Sequence, residues 1–390
     1  MVVLALAMTA MLFAVGLAID SGQLFVARRT AQAAADAGAF AGAERLYAGG
    51  TAAQAISDAT ADTARNGFTA GGTTTVTVNS PPTEGAYAGN AGYVEVRITT
   101  QVRTNLLPAQ ITNIAARGVA GVAPVNLGYA IMSLDQGSTL RALNVRAQGS
   151  LAITGGGVMV NSSHAEAARS TGTVTMSSGF NTDVVGQTSG IWPNQRTGRP
   201  VSPDPYSSFP KPSTSGLTDY GNPVCCALSP GIYTGSLSGN NDWTMAAGIY
   251  IFKGAGVNLA GNSSLNGSGV FIFLTTSNYP STGGTCPTTT FKLTGNNASS
   301  LTPPASGTYK GMLIYQDPAC TGDLDIGGNG AITTTGTIYA PTATVVGNGN
   351  NASVALSQIV AKRVDAGNAD FSIAYSTAAT AAPRVPALSE

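Results

Sequence analysis

"GIYIFKGAGVNLAGNSSLNGSGVFIF" (residues 248–273) carries two apolar runs of one cast, GIYIF and GVFIF, 21 residues apart, with glycine and asparagine between them. Short runs of β-branched and aromatic residues bounded by Gly and Asn read as strands. The same cast recurs as GIY at 231, GMLIY at 311 and GTIY at 336, so the start-to-start intervals are 17, 21, 42 and 25. The interval of 42 reads as two coils of 21, with FKL at 291–293 as the strand between them. A strand repeat near 20 residues with no helical segment intervening is the mark of a solenoid. The pattern predicts a right-handed parallel β-helix over residues 125–376, each coil burying its Ile, Val, Phe and Tyr inward. A β-sandwich is the alternative, and hairpin turns are too few to favour it.

Corners between the runs repeat as well. GNND (239–242), GNSS (261–264), GNNA (295–298), GNGA (328–331) and GNGNN (347–351) fall in step with the strands. Gly and Asn tolerate the positive φ of a tight corner, and stacked Asn side chains can hydrogen-bond from coil to coil. One stretch, 192–223, holds seven prolines and no periodicity, and reads as a surface excursion partly in polyproline II. The final residues, 377–390, read as a flexible tail.

The start of the chain is of another kind. Residues 1–19 carry no charge, and at 1.5 Å per residue they reach roughly 28 Å, the hydrocarbon thickness of a bilayer. A cleaved signal peptide competes, but the run is longer than a signal core and lacks a good small-x-small site. Residues 1–20 are therefore expected to be a transmembrane anchor. Arg28 and Arg29 follow it with no basic residue before it, which taken alone would orient the body toward the cytoplasm. The expectation is that Met1 is not the natural start and that a basic stub precedes it.

Beyond the anchor, residues 21–124 are expected to form a helix and a small α+β module. Alanine dominates from Ser21 to Leu46, and Ala31, Ala35, Gly38 and Gly42 recur at spacings that share one helical face. Such a stripe admits close approach of another helix, as small-residue faces do in membranes. A solvated alanine helix with accidental spacing is the plainer reading. Asp20, Arg28 and Arg29 read as membrane-interface markers. A second helix is predicted over 52–65, ending at Asn66-Gly67. Strands follow at 73–78 and 93–102, and a short helix with a third strand is expected within 105–124.

The stretch "LAIDSGQLFVARRTAQAAADAGAFAGA" resembles the N-terminal signature of TadE/TadG-like proteins of the bacterial tight-adherence (Flp) pilus-assembly systems. Asp20, Gly22, Arg28, Arg29, Gln32, Ala34, Ala35, Asp36, Ala37, Ala41, Gly42 and Ala43 occupy the matching positions. The segments 105–124 and PVSPDPYSSFP (200–210) are similar to later parts of such proteins, less specifically. The resemblance implies a pilin-like helix in the inner-membrane lipid, packed against pilus-assembly or pilin-like subunits. It also implies a role in pilus assembly or anchoring, and hence in adhesion.

Composition narrows the rest. Nineteen basic and nineteen acidic residues in 390 give no net charge and no basic run, so nucleic acid is not an expected partner. Low charge with abundant Gly suits an extracytoplasmic β surface. The expected setting is the bacterial cell membrane, crossed once, with the C-terminal domain periplasmic or extracellular. Cys225, Cys226, Cys286 and Cys320 form an even set, consistent with two disulfides. Cys286 with Cys320 is the favoured pair, leaving Cys225 and Cys226 as a vicinal bridge or with separate partners. A zinc site lacks C-x-x-C spacing, and His164 is the single histidine.

No catalytic, cofactor or metal residues are assigned. Asp323 and Asp325 share a strand face but lack the companions that carbohydrate hydrolases or lyases of this fold would need. His164 lies in a polar loop with no G-x-S-x-G near it. The Gly-rich loops at 154–158 and 281–285 lack a phosphate loop's Lys. The sequence thus points to a non-enzymatic envelope protein. The alternatives are a surface protein that binds or cleaves a glycan, and a structural envelope subunit that self-associates.

Overall fold

The computed structural model describes residues 2–48, 50–104, 111–124, 128–349 and 353–389. The chain divides into two compact units, Met1–Val125 with Arg384–Glu390, and Asn126–Pro383.

In the first unit, α1 (Val2–Tyr47) runs without a break from the apolar segment through the alanine-rich tract. After it, α2 (Ala52–Arg65) begins at a capping box: the Gln54 amide donates to Thr51 Oγ1, and the Thr51 amide donates to Gln54 Oε1 at 2.9 Å. Three antiparallel strands follow, β1 (Thr74–Asn79), β2 (Tyr93–Arg103) and β3 (Ile111–Pro124). Of the stretch 105–124, where a short helix and a third strand are expected, residues 111–124 are all strand and 105–110 lie outside the described residues. The expected tail holds a strand, Arg384–Leu388, which pairs antiparallel with β3 and completes the sheet in the order β1, β2, β3, C-terminal strand. A propensity-poor Pro- and Ala-rich tail is held by a neighbour's unpaired edge, which no local pattern announces.

On the face of β2 opposite Val94, Val96 and Ile98, Glu95 is fully buried. Its carboxylate accepts from Arg117 Nε at 2.6 Å, Asn79 Nδ2 at 3.0 Å and Thr83 Oγ1 at 2.9 Å. Burial alone would raise the Glu95 carboxyl above its ordinary 4.5; these hydrogen bonds outweigh it and hold it at about 2.

The second unit is built almost wholly of parallel pairings. Each pass of the chain contributes short strands to three ladders. In the first ladder Gly231–Tyr233 pairs with Gly248–Lys253, then come Val270–Thr275, Met312–Gln316, Thr337–Asn348 and Gln358–Asp365, each parallel to the last. The interval expected to hold two coils is a single pass: Ile272 pairs directly with Ile314. FKL lies in Thr289–Gly295, which belongs to the second ladder, beside Val257–Gly261. The extra length is a loop tied down by a disulfide between Cys286 and Cys320, whose Cα atoms are 5.6 Å apart. Closing 34 residues in this way contributes about 4 kcal/mol on chain-entropy grounds.

The passes do not stack in chain order. Gln358–Asp365, late in the chain, pairs parallel with Tyr129–Ser133, the first strand of the unit. From there the stack continues through Gly157–Val160, Thr182–Val184 and Gln195–Arg196. The third ladder crosses the same joint, Asp370–Ala374 against Ser150–Thr154. The chain therefore enters in mid-stack and runs out to one end. Residues 197–218 then carry it back to the other end, and it climbs to meet its own beginning.

That return strap corrects two expectations. The stretch read as a surface excursion partly in polyproline II includes the strands Gln195–Arg196 and Asp219–Gly221, and its Tyr206 is only 1% exposed. Nor do the apolar runs point only inward. Along Val270–Thr275, Val270, Ile272 and Leu274 fill the interior, while Phe271 and Phe273 join a second core with Ile251, Tyr315, Tyr339 and Tyr206 on the outer side. A strand covered on both faces reads as a continuous apolar run rather than an alternation. The strap is fastened by polar bonds as well: the Tyr339 hydroxyl donates to Asp204 Oδ2 at 2.7 Å, Lys211 Nζ to Asp317 Oδ1 at 2.9 Å, and the Tyr279 hydroxyl to the Pro212 carbonyl at 2.6 Å.

At the corners the asparagines do stack. Asn329 Nδ2 donates to Asn296 Oδ1 at 2.9 Å, and Asn296 Nδ2 to Asn262 Oδ1 at 3.0 Å, linking three passes. Gly261 and Gly328 take φ of +67° and +108° there, as a residue with no Cβ readily does.

Replacing Tyr206 by Ala should cost about 3–5 kcal/mol and release the strap. Limited proteolysis should then cut within 197–218, where the wild-type protein resists, and Tyr206→Phe should lose much less. For Glu95→Gln, hydrogen exchange of β2 and β3 amides should show a loss of about 3 kcal/mol at neutral pH. The wild-type difference should be complete above about pH 5 and disappear as pH falls toward 2, because a depressed carboxyl stabilises only while ionised.

Candidate functional site

The candidate site is α1 and the surface on which it lies. Over residues 2–19 the helix is exposed on nearly every side, with Val3, Leu12 and Phe13 more than half accessible. It is long and apolar enough to cross a membrane. From about Ala31 it becomes a packing element: Ala31, Ala35, Ala39 and Ala43 are fully buried with Val94, Val96 and Ile98 of β2 and Ala55 and Ala59 of α2.

The small-residue stripe does not wait for a second helix in the membrane. Ala31, Ala35, Gly38 and Gly42 meet elements of their own unit. A Cβ on Gly38 would strike the Thr63 side chain of α2 and come within 3.0 Å of the Ala59 carbonyl. One on Gly42 would lie 2.9 Å from Val94 of β2 and 3.1 Å from the Ala55 carbonyl. From the other side, a Cβ on Gly118 of β3 would come within 2.6 Å of the Ala35 carbonyl. Helix and sheet backbones thus touch, and only small residues allow it. The residue spacing alone reads the same for a partner helix and for a neighbour in the same chain.

Polar residues of the motif serve the same seating. Gln32 Nε2 donates to the Arg117 carbonyl of β3 at 2.7 Å and to Asp36 Oδ1 at 2.8 Å. Burial raises the Asp36 carboxyl, which the Gln32 bond partly offsets. Of the three residues expected at the lipid boundary, Arg28 and Arg29 are exposed, whereas Asp20 is buried at 1% exposure. Gly118 and Thr63 were missed by sequence reasoning; the glycines interrupting the apolar strand ARGVAGV were the available signal of a close backbone approach.

The remaining candidates lie in the second unit. Cys225 and Cys226 form a vicinal disulfide, and Cys286 pairs with Cys320. Asp323 and Asp325 lie on one outward strand face. Asp323 Oδ1 accepts the Thr344 amide and Asp325 Oδ1 accepts from Asn348 Nδ2, both at 3.0 Å. His164 is half-buried, and its Nδ1 accepts the Glu166 amide at 2.9 Å. Among the described residues no group of three His, Cys, Asp or Glu is placed to hold a metal ion.

Fold and site together define a mainly β protein carried behind one long apolar helix. Residues 1–45, which end inside α1, match the family described as "Putative Flp pilus-assembly TadE/G-like". No curated protein and no solved structure matches the chain.

Gly38→Leu should destabilise the first unit by about 1–3 kcal/mol, read as a lower melting temperature in detergent. Gly22→Leu, on the same helix with nothing within 4 Å of the added carbon, should leave it unchanged.

Proposed function

We propose that the protein is a single-pass, non-enzymatic component of the bacterial cell envelope that acts in the assembly or anchoring of a Flp-type pilus, and so in adhesion. The observation that carries this reading is the coincidence of the matched family with α1. Residues 1–45 hold both the free apolar rod and the motif that seats it. The rod lies in the inner-membrane lipid, and the second unit projects on the periplasmic or extracellular side. Its two disulfides suit an oxidising compartment.

The parallel ladders of the second unit form a right-handed β-helix in this reading. Connections between parallel strands of one sheet take that hand almost without exception. The stripe at Ala31–Gly42 is already occupied within the chain, so assembly subunits meet α1 through its apolar residues 2–19. The outer surface of the β-helix serves contact rather than catalysis in this reading, and one oxygen of each of Asp323 and Asp325 is held by Thr344 and Asn348.

An alkaline phosphatase fused after the last residue should be active, and a cytosol-dependent reporter at the same point silent. Deletion of the gene should abolish surface pili. A reporter active in the cytosol, or normal piliation in the deletion strain, would refute the reading.

A further inference from the structure

Where the end of the second unit meets its beginning, the outer face of the second ladder carries an open cleft of about 470 Å³. It is lined by Arg141, Arg146, Arg169 and Arg363, with Asn144 and Asp365. These residues come from three neighbouring passes: Asp365 pairs with Asn144, and Asn144 with Arg169. In a chain with only nineteen basic residues, four guanidinium groups converge on one hollow.

Their charges are only half answered. Arg146 holds Asp365 in a two-pronged pair, Nε at 3.2 Å and Nη2 at 2.7 Å. Arg141 Nε stands 3.7 Å from Glu166 Oε2, too far for a hydrogen bond. Arg169 has no side-chain hydrogen bond or ion pair among the described residues. Arg363 gives Nη2 to the Leu140 carbonyl at 3.2 Å, but its Nε is buried without an acceptor, as is that of Arg141. A buried donor left unmade costs about 1–3 kcal/mol, more on a charged group. Arg141 also takes φ +57°, a left-handed conformation that a residue with a long side chain seldom adopts. Strain of that kind, where the chain turns a cationic side chain toward a hollow, marks a place shaped for something else.

We propose that this cleft is a binding site for a dianionic oxyanion, a phosphate group being the chemistry that fits. Two of the four guanidinium groups lining the cleft, those of Arg169 and Arg363, have no carboxylate partner among the described residues, whereas Arg146 and Arg141 stand beside Asp365 and Glu166. Planar guanidinium groups match the tetrahedral oxygens of phosphate through paired, charge-assisted hydrogen bonds. The hollow is larger than one phosphate, so the group arrives free or as the monoester on a larger molecule. Bound there, it would bridge late and early segments of the second unit's chain, Arg363 on one side of the joint and Arg141 and Arg169 on the other. The site is independent of the pilus reading, since it requires neither a membrane nor a partner subunit.

Isothermal titration of the full-length protein in detergent with inorganic phosphate, and separately with glucose 6-phosphate, tests this. Saturable binding that weakens as salt rises is expected, with a higher melting temperature in the bound state. Tighter binding of the sugar phosphate assigns the anion to a larger molecule, and equal binding assigns it to free phosphate. Arg169→Gln should weaken binding about 10- to 100-fold, the size of one or two charged hydrogen bonds. Its own fold should hold, because that guanidinium supports nothing else. Arg65→Gln, exposed in the first unit, should bind as wild type does. No saturable binding of either phosphate, or undiminished binding by Arg169→Gln, overturns the proposal.

Discussion

Parallel pairing between Gln358–Asp365 and Tyr129–Ser133 closes the second unit. A parallel ladder leaves a row of unpaired amides and carbonyls at each end, and an end in mid-chain would double that liability. By entering the stack in its middle, the chain would create two such raw ends; the joint pairs them with each other. Ile359 meets Ile131 and Val360 meets Met132, so the interior core and the outer core both run through it. The strap at 197–218 is the other half of the same arrangement, since a chain that enters in mid-stack must be returned from one end to the other. Its route over the outer face then dictates why that face is apolar.

The first unit rests on proximity of backbones. α1 lies against α2, β2 and β3 with Gly38, Gly42 and Gly118 at the contacts, and each of these positions excludes a side chain on steric grounds. The residues that resemble a pilus-assembly signature, Gln32, Ala35, Asp36 and Gly42 among them, are those that seat the helix on its own sheet. The motif is therefore legible as a folding instruction as well as a family resemblance. What it leaves free is the apolar stretch before Asp20.

Local patterns carried much of this architecture. Alanine content and the stop at Asn66-Gly67 sufficed for the helices, and alternation sufficed for β1 and β2. Repeated Gly-apolar-aromatic runs revealed a stack of short strands, and the asparagine corners revealed how it turns. Other features had no local trace. The joint couples residues more than 220 apart, and a strand records nothing about which neighbour will hydrogen-bond to it. The interval of 42 looked like two repeats because FKL has the composition of a strand, but composition does not say which ladder receives it. Arg141, Arg169 and Arg363 are unremarkable singly in the sequence, and only the joint gathers them.

Both ends of the second unit return to one sheet, since β3 leads into it and Arg384–Leu388, paired with β3, leads out. The second unit is thus a long insertion between two adjacent strands of the first unit's sheet. A single nick anywhere in that insertion would leave two fragments that each keep a strand in the first unit's sheet, so shedding would require two cuts or the peeling of a whole strand. The same connectivity makes the insertion an interchangeable cargo: a chain of quite different length and fold could be spliced between those strands while the helix and its sheet stayed as they are.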